Sequence, residues 1–85
     1  MTDLHDPTQR ARWDAWVHDA CTAVQVDPAL VDIDEIHRLT KQVANRAERP
    51  LAPVSSFILG VALASGGDVR ELRRALEATL PEPTR

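Results

Sequence analysis

The most distinctive part of the hydrophobic pattern is an uncharged stretch from Pro50 to Gly67. Within it, Phe57 to Ala64 are all apolar or glycine, so a helix there is apolar around its whole circumference and needs neighbours on all sides. The stretch is too short for a bilayer, which takes about 20 apolar residues to cross. Pro53 suits a first helical turn, and the glycines at 66 and 67 suit a left-handed stop. The pattern predicts an enclosed helix from near Pro53 to near Ser65.

Three further helices are predicted by a repeated signal, in which a side-chain acceptor is followed three residues later by Glu or Gln. The acceptor caps free N–H groups of the first turn, and the Glu or Gln reaches back to the cap. The signal occurs at Asp6 to Gln9, Asp32 to Glu35 and Asp68 to Glu71. No segment alternates apolar and polar residues as a strand does. The predicted fold class is all-α, a small four-helix bundle with a central apolar third helix.

The other three helices have apolar arcs at helical spacing, which predict packing inward. The first arc, wide enough for two neighbours, consists of Trp13, Trp16, Val17, Ala20, Cys21 and Val24. The second consists of Ile33, Ile36, Leu39, Val43, Ala44 and Ala47. The last is a narrower stripe of Val69, Leu72, Leu76 and Leu80, ended by Pro81, with Arg70, Arg74 and Glu77 toward water. We expect the last helix to cover one side of the third.

The connections are expected to be short. Pro28 follows Asp27 and is expected to open one turn of helix, whereas Arg49 to Ala52 is expected to be extended because residues before proline avoid the helical region. The length fits a single domain spanning residues 1–85, with flexible ends at residues 1–5 and 82–85.

Composition excludes several classes of partner and compartment. A net charge of −3, from 13 acidic and 10 basic residues, argues against nucleic acid, whose binding relies on clustered Lys and Arg. The single cysteine, Cys21, lies in an apolar arc and is expected to be a buried thiol in a reducing compartment. The first residues lack the features of a signal peptide. We therefore expect a cytoplasmic protein that binds neither nucleic acid nor membrane.

Candidate chemistry is sparse. His18 and Cys21 have a spacing that could present two metal ligands, but a zinc site needs three or four, and a surface histidine beside a core cysteine is the simpler interpretation. The acidic cluster of Asp32, Asp34 and Glu35 is explained by helix capping, because a helix N-terminus favours negative charge. There is no phosphate loop and no Ser/His/Asp grouping. We expect no enzyme activity, no cofactor and no metal.

Two sets of residues are candidates for binding. Arg46 and Arg49, with Ser55 and Ser56 in the first turn of the third helix, could hold a phosphate or a carboxylate against free helix N–H groups. In the alternative interpretation the arginines bond the C-terminal carbonyls of the second helix and pair with Glu48 or other surface acids.

The second set is the pair of tryptophans Trp13 and Trp16. Both could be internal, since their spacing puts them on one arc. If either is exposed, it would be an interface anchor for a homodimer or for a larger partner protein.

The order of several short motifs resembles a small uncharacterised bacterial domain family. The resemblance is carried by Trp16-Val17 with Cys21, Asp27-Pro28, Val31-Asp32, Leu39 with Val43-Ala44, Arg49-Pro50-Leu51-Ala52-Pro53, and Leu59-Gly60-Val61-Ala62. It covers about Ala15 to Leu80, and its most specific part is the Arg-Pro-x-Ala-Pro stretch, in which Leu51 replaces the family's usual alanine.

Members of that family occur alone or fused to a molybdenum-cofactor guanylyltransferase-like domain. The resemblance therefore implies association with molybdenum-cofactor, or molybdopterin-guanine dinucleotide, biosynthesis, and it supplies no catalytic residues. The transferase reaction itself needs an α/β nucleotide-binding domain that this pattern lacks. We expect a non-catalytic interaction domain acting with a molybdopterin guanylyltransferase-type protein. The alternative is a binder of a pterin or nucleotide phosphate near Arg46 and Arg49.

Overall fold

In a computed structural model of the protein, residues 6–83 are described, and they form helices only. The four α-helices are α1 (Pro7–Val24), α2 (Ile33–Arg46), α3 (Ala52–Ala64) and α4 (Val69–Glu77), and two short 3₁₀ helices span Pro28–Leu30 and Arg49–Leu51. No strand occurs among these residues. The predicted all-α fold with four α-helices is confirmed.

The chain divides into two compact units that meet in sequence at Val31 and Asp32. The first unit contains α1 and the first 3₁₀ helix, and the second contains the other elements. That residues 1–85 form a single domain stays a prediction. The flexibility predicted for residues 1–5 and 82–85 concerns positions that lie outside the described residues, apart from 82 and 83.

Local hydrogen bonds set the ends of the elements in the first unit. The Asp6 side chain accepts from the Thr8 N–H at 3.0 Å and begins α1. Gln25 adopts a left-handed conformation with φ 61° and ends α1. The Asp27 carboxylate accepts from the Ala29 N–H at 2.9 Å, so the helical turn predicted after this aspartate is confirmed.

The core of the second unit lies between α2, α3 and α4, which all pack against one another. Leu39 and Val43 of α2 and Leu59 of α3 are buried. Partly buried side chains surround them: Ile36, Ala47, Val69, Leu72, Leu76 and Leu80. The inward faces predicted for α2 and α4 are therefore confirmed, and α4 covers one side of α3 as expected.

Within the second unit, α2 and α4 pack against one side of α3. Only Ser55 and Leu59 of this helix are buried, and a row of large apolar side chains is exposed. That neighbouring helices enclose α3 on all sides stays a prediction, since α1 belongs to the other unit. An apolar circumference indicates that a helix favours contacts all round, but it does not determine which elements provide them.

The connection before α3 also differs from its prediction. Arg49 to Leu51 form a 3₁₀ helix instead of an extended segment, and the Leu51 N–H donates to the Glu48 carbonyl at 3.0 Å. Glu48, directly before this 3₁₀ helix, is extended. Pro50 has no N–H to donate and its fixed φ suits a helical turn, so the 3₁₀ turn is compatible with proline at its second position.

The end of α3 agrees with the sequence. Gly66 and Gly67 have φ of 105° and 124°, which confirms the predicted left-handed stop. The N–H of Gly66 donates to the Leu63 carbonyl at 3.0 Å and satisfies one of the carbonyls left free at the helix end.

A buried ion-pair cluster joins α2 to α4. Asp32 and Asp68 cap these helices as predicted, each accepting the N–H of the residue three positions later at 3.0 Å. Glu35 has a different role from the predicted reach back to its cap: its buried carboxylate accepts a hydrogen bond from the buried Arg73 guanidinium. A second Arg73 nitrogen, Nη1, donates to Glu77 Oε1 at 2.9 Å.

The cluster corrects the expectation that Glu77 points to water, since its side chain is only 19% exposed. The pKa of Arg73 is raised, chiefly by its hydrogen bond to Glu35 and despite the opposing effect of burial, with a smaller contribution from Glu77. A cation with a raised pKa contributes stability at every pH below its ordinary pKa, and that contribution is lost only as the pH rises through the raised value. Arg73 therefore keeps its stabilising charge throughout the neutral and moderately alkaline range.

A candidate protein-interaction face on helix α3

The exposed side of α3 carries four large apolar side chains at helical spacing, which we call the α3 face: Val54, Phe57, Ile58 and Val61. Their exposed fractions are 49%, 74%, 46% and 54%. Residues separated by three, four and seven positions lie on one side of a helix, so these side chains form one contiguous row. Contiguous exposed apolar rows of this kind are typical of protein-binding surfaces.

The α3 face is free of charge. No Asp, Glu, Lys or Arg occurs between Pro50 and Gly67. A partner packing against this helix therefore removes water from apolar side chains without burying a charged group of α3. Full burial of one such side chain is worth roughly 1.5–3 kcal/mol relative to exposure.

Gly60 leaves open space beside Phe57, at the edge of the α3 face. A Cβ added at this glycine would have no heavy atom within 4 Å, so packing inside the chain does not require a glycine there. In the interior of a helix, glycine is about 1 kcal/mol less favourable than alanine. A glycine kept at this position allows another backbone or a large side chain to approach α3 closely.

Exposed charges of opposite sign lie just beyond the two ends of α3. Arg49 precedes the helix, and its side chain forms no hydrogen bond or ion pair with the part of the chain that the structure describes. Asp68 follows the helix and uses its Oδ2 to accept the Glu71 N–H. The α3 face is thus bounded by a positive end and a negative end.

The two tryptophans of α1 have different environments. Trp16 is 69% exposed, whereas Trp13 is half-buried. Of the apolar arc predicted for α1, only Cys21 is buried, and Val24 is exposed like Trp16. That both tryptophans are internal is therefore not observed. A role for Trp13 and Trp16 at an interface stays a prediction.

Three of the four residues predicted to bind an anion have separate local partners. Arg46 donates from Nε to the Pro81 carbonyl at 2.9 Å and from Nη2 to the Leu80 carbonyl at 3.4 Å. The Ser55 and Ser56 hydroxyls donate to the Ala52 and Pro53 carbonyls at 2.6 Å and 2.8 Å. Arg46 thus bonds carbonyls that follow α4, and not those of its own helix as the alternative interpretation expected. Anion binding at these residues stays a prediction.

Other chemistry is limited in the described part of the chain. Residues 6–83 contain no group of three or more His, Cys, Asp or Glu side chains placed to hold a metal ion. None of the helices between residues 6 and 83 has the length and apolarity that crossing a bilayer requires.

Comparison with known proteins gives one match. A family model described as Domain of unknown function (DUF6457) covers residues 8–83. The chain belongs to this family. The searches of curated proteins and of solved structures found no match.

Membership in DUF6457 confirms the predicted resemblance to a small uncharacterised domain family. The match spans elements of both units, from α1 through the end of α4. Nothing in these comparisons links the family to molybdenum-cofactor proteins, so that part of the resemblance stays a prediction.

The sequence prediction did not identify the α3 face, because apolar residues occur all round this helix and give it no direction. Gly60, a glycine in the helix interior, was the available local signal, since glycine is less favourable there than alanine.

Proposed function

We propose that the protein is a non-catalytic helical interaction domain that binds a protein partner through the α3 face. The observation that carries this proposal is the exposure of four large apolar side chains in one uncharged row. Water contact with such a row is unfavourable, and a partner that covers it removes that unfavourable contact.

The partner favoured by the sequence resemblance is a molybdopterin guanylyltransferase-type protein. The most specific part of that resemblance, Arg49 to Pro53, lies directly before the α3 face in the chain. We therefore propose that the domain binds this class of partner through the α3 face. It would act as an accessory component of molybdenum-cofactor maturation.

Co-purification tests this proposal. A tagged chain is mixed with a folded guanylyltransferase-type protein, and retention is compared between wild type and Val61→Asp. Wild type is expected to retain the partner. Val61→Asp is expected to lose at least ~10-fold in affinity, because a charge within an apolar interface must be desolvated without a counter-charge.

Val24→Asp is the matched control, since Val24 is an exposed valine on α1 outside the α3 face. It is expected to bind like wild type. Equal binding by wild type and Val61→Asp would place any interface elsewhere. The absence of both a complex with a folded partner and self-association would contradict the proposal.

A second candidate function, recognition of a pterin or nucleotide phosphate, is favoured by one observation. The exposed guanidinium of Arg49 lies next to the beginning of α3 and has no side-chain partner among residues 6–83. The two arginines can be separated by mutation, because Arg46 already bonds the chain after α4.

Arg46→Ala is expected to lower the free energy of unfolding by about 1 kcal/mol through the lost hydrogen bonds. Arg49→Ala is expected to leave stability within ±0.5 kcal/mol, as is usual for exposed side chains. Calorimetric titration with GTP then checks the binding role. Weaker GTP binding by Arg49→Ala than by wild type supports an anion site. Absence of GTP binding by wild type, or equal binding by the two proteins, would contradict it.

A further inference from the structure

We infer that the buried ion cluster of Glu35, Arg73 and Glu77 determines the position of α4 along α2, and that it does so without adding net stability. Buried charges can fix the register between two helices even where apolar side chains would pack as favourably. Because α4 packs against both α2 and α3, its position also determines which part of α3 it covers. This role of the cluster is independent of any partner of the α3 face.

The apolar stripe of α4 leaves its position along α2 poorly defined. Leu72 and Leu76 of α4, and Leu80 just beyond it, pack around the core and repeat every four residues, which is about one helical turn. Moving α4 by one turn along its axis therefore returns two leucines to places that leucines already occupy.

The connection to α3 permits a displacement of that size. Residues 65–68 join the two helices, and two of them are glycines. An extended chain of this length spans about 13 Å, whereas one helical turn rises by about 5 Å. The connection alone therefore does not fix the position of α4.

The charged positions distinguish these alternatives. Arg73 contacts Glu35, and the residues one turn away from Arg73 on α4 are Val69 and Glu77. If Val69 takes the place of Arg73, the buried Glu35 carboxylate loses its hydrogen-bond donor. If Glu77 takes that place instead, two carboxylates meet at a buried position. Either displacement leaves a buried negative charge without compensation, which is strongly unfavourable.

A displacement by three residues is excluded by the apolar stripe. It would bring Arg70 to the buried Glu35, so the ion pair could form again. The same movement, however, places Arg73 and Glu77 where two leucines pack around the core. The leucines and the charges together therefore select one position, and neither set does so alone.

The cluster is incompletely paired, which limits its contribution to stability. Arg73 donates to one oxygen of Glu35 and to one oxygen of Glu77. The other Glu77 oxygen, Oε2, is buried and accepts no hydrogen bond from residues 6–83. Arg70 adds little, since its side chain is 69% exposed and its Nε lies 3.7 Å from Glu35 Oε2. Desolvation of the buried groups therefore offsets their mutual attraction.

Replacing the whole cluster by apolar side chains tests the inference. The triple variant carries Glu35→Leu, Arg73→Met and Glu77→Leu, which roughly conserve volume. Its urea midpoint is expected to equal or exceed that of wild type, because no buried charge is left unpaired. Glu35→Gln alone is expected to lower the midpoint, because it removes only one partner of the pair.

Backbone amide signals in nuclear magnetic resonance spectra report the position of α4. Wild type is expected to give one sharp signal for each residue of α4. The triple variant is expected to give doubled or exchange-broadened signals there, because α4 then populates more than one position. Arg74→Met is the matched control, since Arg74 is an exposed arginine of the same helix, and it is expected to keep single signals.

Two results would overturn the inference. Single, sharp α4 signals in the triple variant would show that the leucines suffice to position the helix. A urea midpoint of the triple variant as low as that of Glu35→Gln, or failure of the triple variant to fold, would show that the cluster is a net stabiliser. Circular dichroism of each variant verifies its helix content.

Discussion

The Glu35–Arg73 pair is a side-chain contact that joins α2 to α4. Both groups are buried, and both are charged. Glu35→Gln removes one charge and leaves the Arg73 guanidinium buried with Glu77 as its remaining acid partner. We expect the free energy of unfolding to fall by about 3 kcal/mol, because loss of one partner of a buried ion pair leaves the Arg73 charge compensated by Glu77 alone. Urea denaturation measures this change.

Glu48→Gln is the matched control for that experiment, since Glu48 is exposed. It is expected to change the free energy of unfolding by less than about 0.5 kcal/mol. Equal effects of Glu35→Gln and Glu48→Gln would contradict a structural role for the buried pair.

Two glycines of the second unit are predicted to respond to alanine in opposite directions. Gly60 lies inside α3 with open space around it, so Gly60→Ala is expected to raise the stability of the monomer by about 0.5–1 kcal/mol. Gly67 has φ of 124°, and an added Cβ would lie 3.4 Å from Leu72 Cδ1, so Gly67→Ala is expected to lower stability by more than about 1 kcal/mol. Thermal unfolding at low protein concentration compares the two. Changes of the same sign would contradict this assignment.

Single residues were predictable where their interactions are local. Asp6, Asp32 and Asp68 cap helices through N–H groups two or three residues away, and that chemistry can be identified in a short sequence window. The pairing of Glu35 with Arg73 was not predictable, because the partners are 38 residues apart and the local pattern suggested a capping role.

The helix caps give a test for one element. Asp32→Ala removes the acceptor of the Glu35 N–H at the beginning of α2 and is expected to lower the free energy of unfolding by about 1 kcal/mol. Asp32→Asn keeps an oxygen acceptor and is expected to stay within a few tenths of wild type. Equal loss in both variants would show that charge, and not the hydrogen bond, determines the effect.

The helices themselves were predictable, but their surroundings were predictable only in part. Strong amphipathic patterns in α2 and α4 correctly identified the sides that bury Leu39, Val43, Leu72 and Leu76. The pattern of α3 carries no such direction, because apolar residues occur all round it. The number of neighbouring elements in the fold determines which side of an evenly apolar helix is exposed. A short stretch of sequence does not contain that number.

For the whole molecule, the central claim is that the α3 face is exposed in the isolated protein and covered in its assemblies. Phe57 is the only phenylalanine in the sequence, which makes its chemistry easy to follow. Val24 is similarly exposed but lies on α1, outside the α3 face, so it serves as an internal reference for reactivity.

Hydroxyl-radical footprinting of Phe57 relative to Val24, from dilute to concentrated protein and with the guanylyltransferase-type protein added, tests this claim most directly. Phe57 is expected to react readily in the dilute monomer and to be protected several-fold as an assembly forms, while Val24 changes little. Protection of Phe57 even in the dilute monomer, or equal reactivity under all conditions, would contradict it.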